Sequence, residues 1–428
     1  MAKAMTVKVS KDNSHWVLFL ILPFFAGITA MQNFRAPWAK NILWAFVVFY
    51  GFTFTIGAET KSKGEDAGSD INRYVDELGS LYGKPLTLDQ SVKYFKESGE
   101  ADVLRTIIGI VVSRFTNSQR VLTAVYAVIF GFFFTRNLWY VLMRIKGRLK
   151  FFSLILFASF FLMDSFWEIN GFRFNTAVHI FIYGLLPYLF EGKKRSVWIC
   201  FSTVLVHFTF VIPISILLIY IVLGNRLLPY FVFFIFSIFV KQINVSVFNE
   251  FVEKVAPDAF LDRSTNYRDT DKVAEFRGEK EPDAVLIEKN WYANWYLNGL
   301  QLSLTLILIF FYFVSKKYIR DIGGLYSAFC FSLLFFAIAN ILSSLPSGGR
   351  FLTIATMVAV VVILFYLQNF SKEQYLKNLI FITTPAFLLF IIVSIRIGFY
   401  SIGVQTIFGN PILSLLTDYN LSLNDIIK

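Results

Sequence analysis

The sequence has few of the residues from which metal and redox sites are built. Among its 428 residues are two cysteines, Cys200 and Cys330, and three histidines, His15, His179 and His207. Both cysteines lie inside apolar runs without another cysteine or a histidine at ligand spacing, which indicates small buried side chains. We therefore predict no disulfide framework, no metal site and no cofactor.

Motifs of nucleotide-dependent and common hydrolytic enzymes are also missing. The sequence contains no G-x-x-x-x-G-K-[ST] loop, no G-x-G-x-x-G turn after a strand, no H-E-x-x-H helix and no G-x-S-x-G elbow. These absences argue against transport driven by ATP hydrolysis within this chain. Any chemistry has to come from other polar residues.

Charged residues are scarce, and this indicates the class of protein. Only 16% of the residues are charged and 56% are hydrophobic, including 51 phenylalanines, whereas a soluble domain averages about 25% charged residues. The net charge is +11, but the basic residues cluster in short loops between apolar runs, which is typical of the cytoplasmic side of membrane proteins. We predict an integral membrane protein without a nucleic-acid partner.

Apolar runs of about the length needed to cross a bilayer recur along the chain. The run 197–223 is too long for one untilted crossing and contains Pro213 after His207 and Thr209, so we predict a hairpin of two short crossings there. With this hairpin the chain is an all-α polytopic membrane protein with about twelve transmembrane helices. The runs lie at 16–34, 41–58, 119–142, 151–167, 174–190, 196–225, 227–242, 295–315, 322–345, 350–369 and 377–395.

The charge of the loops predicts the orientation. Short basic loops indicate the cytoplasmic side, and two long segments with more acid than base, 59–102 and 244–294, indicate the outside. We predict one transmembrane domain over 1–428, a first outer loop with an interfacial helix at 59–118, and an outer subdomain at 243–295. A thirteenth crossing at 101–116, which would place the N-terminus inside, is the alternative. The basic loops are MRIKGRLK (143–150), EGKKR (191–195), KKYIRD (316–321) and SKEQYLK (371–377).

Two arginines begin helices on the predicted outer side. Arg173 lies in EINGFRFN, and Arg350 follows two glycines in SLPSGGRFL. The glycines allow close approach to a ligand, and two guanidinium groups suit a diphosphate better than a neutral substrate. The alternative for each arginine is a side chain that reaches from the helix end to the lipid headgroups.

Four further residues near these helix ends carry candidate roles. His207 is a candidate proton acceptor, with a structural histidine bonded to a neighbour as the alternative. Asp164 and Glu168, one helical turn apart, are candidates for orienting Arg173 or binding sugar hydroxyls, and the alternative is capping and ion pairing. His179, deeper in its helix, is a weaker candidate for contact with the acceptor.

The segment GSDINRYVDEL (68–78) in the first outer loop contains a helix N-terminus signal at Ser69 and Asp70, with Tyr74 one turn later. An acid in an outer loop that faces a lipid-linked donor is a candidate general base, and plain helix capping is the alternative.

These elements together resemble the EpsG-like family of bacterial exopolysaccharide and O-antigen polymerases (Wzy-type). The shared pattern has a D-x-x-x-Y element after the second crossing, here Asp70 and Tyr74. It continues with a central helix opened by Arg173, then the segment VWICFSTVLVHFTF with its histidine and break, and then GGRF. The chain departs from the usual pattern at Arg173-Phe174-Asn175, where Arg-Gln is expected, and at Thr209, where serine is expected.

The resemblance implies a metal-independent, inverting transferase of the membrane-embedded glycosyltransferase class (GT-C-like). Its substrate would be an oligosaccharide repeat unit linked to undecaprenyl diphosphate, at the outer face of the bacterial cytoplasmic (inner) membrane. Arg173 and Arg350 would bind the diphosphate, Asp70 or His207 would take the proton, and Tyr74, Asp164, Glu168 and His179 would contact the acceptor or support these groups. The product would be exopolysaccharide, O-antigen or capsule, with membrane lipid and a chain-length regulator protein as partners.

Two other functions share part of this pattern. A flippase or other transporter of lipid-linked oligosaccharides would need charged residues along a path through the bilayer, whereas the candidates cluster at one end. A membrane-bound acyltransferase or glycan ligase would act on similar glycolipids. The ligase would share the diphosphate-binding arginines and differ only in its acceptor.

Overall fold

The computed structural model describes residues 14–55, 70–84, 102–147, 149–240, 290–345, 347–370, 373–417 and 420–427. These residues are almost entirely helical, and their one strand-like feature is an isolated antiparallel bridge between Gly403 and Ser422. The all-α prediction is thus confirmed for the part of the chain that the structure describes.

The helices of the first half are α1 Ser14–Ile21, α2 Pro23–Gln32, α3 Ala39–Phe52, α4 Asp70–Leu81, α5 Val103–Ser113, α6 Gln119–Leu142, α7 Phe151–Met163, α8 Phe172–Glu191, α9 Val197–Ser202, α10 Val211–Leu223 and α11 Leu227–Phe239. Those of the second half are α12 Trp291–Phe310, α13 Lys316–Arg320, α14 Gly323–Leu342, α15 Phe351–Asn369, α16 Gln374–Gly398, α17 Val404–Phe408, α18 Pro411–Leu416 and α19 Leu423–Ile427. Short 3₁₀ turns at Phe166–Gly171, Phe208–Phe210 and Gly348–Arg350 join several of them.

Six helical segments among the described residues are long and apolar enough to cross a membrane, so the chain is a multi-pass membrane protein. The segment Phe151–Glu191 contains 41 residues and consists of α7, a 3₁₀ turn and α8. The two α-helices are about 20 and 30 Å long, so α8 alone is long enough for one crossing. Other predicted crossings correspond to shorter apolar helices, so the total of twelve stays a prediction. The six segments are Gln119–Leu142, Phe151–Glu191, Trp295–Arg320, Gly323–Leu342, Gly348–Asn369 and Gln374–Gly398.

Helix α15 is the centre of the bundle. Every side chain from Ile354 to Leu364 is buried, as expected for a helix that is apolar on all sides and surrounded by other helices. Helix α16, in contrast, exposes Phe381, Ile382 and Ile392, a face that suits contact with lipid chains. The centre and the periphery of the bundle are thus both apolar, as the composition requires.

Small residues bring helices of the bundle into close contact. A Cβ added at Gly51 of α3 would lie 2.3 Å from the Cβ of Ala127 in α6, and one added at Gly184 of α8 would lie 2.7 Å from the sulfur of Cys200. Membrane helices associate through such small-residue contacts, because lipid chains remove most of the hydrophobic driving force between helices.

The segment 197–223 packs along α8, first towards the start of that helix and then back towards its end. Cys200 contacts the carbonyl of Phe181, His207 lies beside Phe174 near the start of α8, and Tyr220 returns to Tyr188 near its end. This path matches the hairpin predicted from the sequence, and the chain reverses at the turn after His207. That each arm crosses the membrane stays a prediction. Pro213 lies in the first turn of α10, where its missing N–H breaks no helical hydrogen bond.

The helix α5 lies where an interfacial helix was predicted. Its 11 residues span about 16 Å, too little to cross a bilayer, and it packs against α4 and α6. The predicted outer subdomain at 243–295, with Phe251 and Phe260, lies outside the described residues apart from 290–295. Trp291 and Trp295 begin α12 and are exposed, where an interfacial aromatic belt would lie.

The predicted orientation can be tested by cysteine labelling. Ser80 is exposed on α4, so Ser80→Cys should react with a membrane-impermeant maleimide in intact cells. Lys194→Cys, in the basic loop before α9, should react only after the membrane is permeabilised. The native Cys200 and Cys330 are fully buried and contribute little background. Protection of Ser80→Cys in intact cells would support the thirteen-crossing alternative.

Candidate active site

Three side chains from distant parts of the sequence meet at the start of α8. Nη1 of Arg173 lies 2.8 Å from Oδ2 of Asp102, and Nδ1 of His207 lies 3.1 Å from the same oxygen. The backbone N–H of Phe208 donates to Oδ1 of Asp102 at 3.0 Å. One carboxylate, at the N-terminus of α5, therefore joins α8 to the turn of the 197–223 hairpin.

The side chain of Asp102 is only 3% exposed. Burial raises the pKa of its carboxyl group, but the hydrogen bond and charge of His207, the guanidinium of Arg173 and the amide of Phe208 outweigh burial and leave the pKa below its usual value. Asp102 is thus an anion that stabilises the cluster. The sequence does not predict this role for Asp102, because its partners are contributed by α8 and the hairpin turn.

Tyr74 of α4 lies among further charged side chains. The guanidinium groups of Arg105 and Arg173 lie 4.8 and 5.6 Å from the centre of the Tyr74 ring, and Arg105 forms a two-pronged ion pair with Glu77. Burial raises the pKa of Tyr74 to about 12, against the opposing effect of Arg173, so the ring is a neutral platform for the two cations. Tyr74 therefore positions Arg173.

Asp70 lies between these charged side chains and the open part of the site. Its Oδ1 accepts a hydrogen bond from Nη2 of Arg73 at 3.1 Å, and its Oδ2 lies 3.7 Å from Nη2 of Arg173. The carboxylate predicted as a base is thus held between two guanidinium groups.

Arg350 reaches the same end of the bundle from α15. Its guanidinium lies 5.1 Å from the centre of the Phe174 ring, so the two predicted arginines are separated by the side chain that follows Arg173. A Cβ added at Gly348 would lie 1.9 Å from the carbonyl oxygen of Leu342, which makes glycine necessary at this turn. Gly348 thus allows the close packing of the turn that positions Arg350.

A cavity of about 360 Å³ lies beside Arg350. Trp167, Tyr296 and Phe390 form part of its wall. Leu297 of α12 and Ile397 of α16 also line it and are 36% and 39% exposed, so the cavity extends to the apolar outer surface of the bundle. An apolar wall with a few polar groups is typical of a small-molecule site. The main polar groups of the lining are Asp70, Asp164, Glu168, Asn175, Arg350 and Ser394.

Asp164 lies deep in this cavity. The residue is 2% exposed, and neither carboxylate oxygen has a hydrogen-bond partner among the described residues. Its main-chain oxygen lies 2.9 Å from Nε2 of His179, and its Oδ2 is 3.4 Å from the same nitrogen. Asn137 contacts the other ring nitrogen of His179 at 3.3 Å. His179 therefore lies behind Asp164 in a buried polar cluster and does not line the cavity.

Glu168 lies on the 3₁₀ turn Phe166–Gly171, between α7 and α8. Nδ2 of Asn175 donates to its main-chain oxygen at 2.7 Å, which ties the turn to the first turn of α8. Its carboxylate lines the cavity, and within the described ranges no cation or hydrogen-bond donor is bound to it.

The structure divides the predicted site residues into two neighbouring groups. Arg350, Asp70, Asp164 and Glu168 line the cavity. Arg173, His207 and Tyr74 form the charged layer behind Asp70, and His179 belongs to neither group. The roles assigned to all eight residues stay predictions. Sequence analysis missed four residues that matter here: Asp102, Arg105, Glu77 and Asn175.

No group of three or more His, Cys, Asp or Glu side chains within the described residues is arranged to hold a metal ion. The charged groups of the cavity lining are carboxylates and a guanidinium group, which bind sugar hydroxyls and phosphate oxygens respectively.

A comparison with protein families identifies one match. The model of the EpsG family matches residues 42–402, which include every residue of the cavity and of the charged layer. No curated protein and no solved structure matches the chain.

Proposed function

The chain belongs to the EpsG family of Wzy-like polysaccharide polymerases, and on that premise we propose that it joins lipid-linked oligosaccharide repeat units into a surface polysaccharide. The donor is a glycan on undecaprenyl diphosphate, and the acceptor is a hydroxyl of a second lipid-linked unit. The reaction takes place at the outer face of the bacterial cytoplasmic membrane. The observation that carries this proposal is a cavity with a guanidinium group at its wall, open to the apolar surface of a multi-pass bundle.

Arg350 is the primary diphosphate ligand in this proposal. It is exposed and lines the cavity, and its contact with Phe174 leaves the N–H groups of the guanidinium available for phosphate oxygens. A guanidinium suits a diphosphate because it donates two parallel hydrogen bonds and keeps its charge. As the sugar–phosphate bond breaks, negative charge grows on the leaving diphosphate, and the fixed cation stabilises it.

Arg173 contributes in a different way. Its guanidinium is bound to Asp102 and lies 3.7 Å from Asp70, so it orders the wall of the cavity and places positive charge behind it. A diphosphate that displaces Asp70 from Arg173 would bring the second guanidinium into direct contact. The two arginines then act on one ligand from both sides of Phe174.

Direct displacement by the acceptor hydroxyl inverts the configuration at the anomeric carbon. Neither a metal ion nor a covalent enzyme intermediate is needed for this step, because the diphosphate is already a good leaving group. We extend the proposal to about twelve crossings in a GT-C-like arrangement, which is supported by the path of the hairpin and by the 41-residue helical segment.

The function can be tested with the purified full-length protein and a defined polyprenyl-diphosphate-linked repeat unit. We expect a ladder of products, each longer by one repeat unit, and opposite anomeric configuration at the donor carbon and the new linkage by NMR. Transfer of a single glycan to a different acceptor would indicate a ligase. Movement of the lipid between leaflets of a vesicle without any new glycosidic bond would indicate a transporter and would contradict the proposal.

A further inference from the structure

We propose that Glu168 is the general base of the transfer, the group that removes the proton from the acceptor hydroxyl. This rests on the proposed function, because it assigns one step of that reaction to a residue of the cavity. Sequence analysis placed Glu168 among the groups that bind the acceptor or support the site, and it assigned the proton to Asp70 or His207.

The position of the diphosphate restricts where a base can be. The anomeric carbon is bonded to a diphosphate oxygen, so it lies within one sugar ring of Arg350. The acceptor oxygen attacks from the face opposite the leaving group, and its proton has to be within about 3.2 Å of the base. The base is therefore a group that lines the same cavity as Arg350.

Three carboxylates meet this condition: Asp70, Asp164 and Glu168. Asp70 already accepts from Arg73 and adjoins Arg173, so its oxygens are directed at guanidinium groups. His207 lies outside the lining. Its Nδ1 is bonded to Asp102, and its Nε2 is buried against aromatic rings such as Phe174. Asp70 and His207, the two groups predicted as bases, thus bind to the charged side chains around Arg173 and Asp102.

The two remaining carboxylates differ in access. Asp164 is 2% exposed and lies against His179, at the deep end of the cavity. Glu168 is partly exposed, and no cation in the described part of the chain neutralises it. The carboxylate oxygens of Asp164, buried without a hydrogen-bond donor, indicate that a ligand with several hydroxyls completes the cavity. A sugar supplies such donors, and Glu168, the more accessible of the two carboxylates, lines the same cavity.

The chemical step balances without any further reactant. The acceptor oxygen forms the bond to the anomeric carbon while the bond from that carbon to the diphosphate oxygen breaks. The electron pair leaves with the diphosphate beside Arg350, and the hydroxyl proton moves to the carboxylate of Glu168. After the product has left, the proton passes from Glu168 to water.

The local structure holds Glu168 in place for this role. The 3₁₀ turn that carries it is tied to α8 by the hydrogen bond from Asn175. A Cβ added at Gly171, where the turn ends, would lie 2.8 Å from Nδ2 of Asn175, so the turn and the helix start are closely packed. A base fixed by packing loses little entropy when the substrate binds.

The variant Glu168→Gln tests the assignment, because it keeps the shape of the side chain and removes its basicity. In the ladder assay we expect kcat to fall by about 10²–10³-fold with the KM for the donor within about threefold of wild type. Glu168→Asp, which withdraws the carboxylate by one methylene, should keep an intermediate rate. Asp321→Asn, an exposed carboxylate on the loop before α14, is the control and should extend chains like wild type.

The pH profile separates a base from a structural role. The kcat of the wild type should rise with pH as the base loses its proton, and this limb should be absent from Glu168→Gln but retained in Asp70→Asn and His207→Gln. Any of three results for Glu168→Gln would overturn the assignment. These are a wild-type kcat, a rise of kcat with pH like that of the wild type, and a loss of donor binding as large as the loss of kcat. If wild-type protein forms no ladder, the proposed function itself fails; if it does, only the base is in question.

Discussion

Arg350→Ala is expected to lower the rate of chain extension by about 10²–10³-fold, the cost of removing one donor to a developing anion. Its fold should be unaffected, because Arg350 is exposed and its protein contact is the ring of Phe174 at 5.1 Å, worth about 0.5–1 kcal/mol at an exposed site. The measurements are the ladder assay and the thermal midpoint of the purified protein. Arg350→Lys should recover part of the rate, since it restores the charge without the two-pronged geometry.

A matched control for this variant is Arg320→Ala. Arg320 is also exposed, and its guanidinium also lies over an aromatic ring, that of Tyr326 at 5.7 Å, but at the end of the bundle that we predict to be cytoplasmic. It should extend chains like wild type. An Arg350→Ala protein that makes polymer of normal length at a normal rate would remove the basis for placing the diphosphate in the cavity.

Arg173→Ala is expected to lose both extension and stability. The structure places the guanidinium on Asp102, whose side chain is 3% exposed. Removal of Arg173 leaves this buried anion with only His207 and an amide, which costs about 2–3 kcal/mol. The purified variant should therefore have a lower thermal midpoint than Arg350→Ala and should form no ladder.

The double variant Arg173→Ala/Asp102→Asn separates the two effects. Asparagine removes the unpaired charge, so part of the lost thermal midpoint should return while extension stays absent. Recovery of both properties would mean that Arg173 acts only on the fold. If the thermal midpoint of Arg173→Ala is unchanged, the ion pair between Arg173 and Asp102 contributes nothing to stability.

The sequence predicted the helical class and several cavity residues because both depend on local composition. Ionisable residues are rare in a chain this apolar, so Arg173, Arg350 and Glu168 stand out at the ends of apolar runs. Their roles are set by packing, which no spacing reveals. The sequence predicts that Glu168 contacts the acceptor or supports the site, but that it lines one cavity with Arg350 emerges only when α8 and α15 pack together.

Asp102 shows why the rest was not predictable. It is 105 residues from His207 in the sequence, and the two meet only because the N-terminus of α5 lies against the start of α8 and the hairpin turn. One signal was present: Asp102 directly precedes an apolar helix that carries Arg105 on its first turn.

Leu297 and Ile397 belong both to the cavity wall and to the outer surface of the bundle. This position affects how substrate reaches the cavity. In the proposed reaction, a lipid-linked glycan enters sideways while its hydrocarbon tail stays among the lipids. The concentration that sets the rate is then the mole fraction of substrate within the bilayer. Dilution of the substrate with inert phospholipid slows such a reaction, even when the amount per millilitre is unchanged.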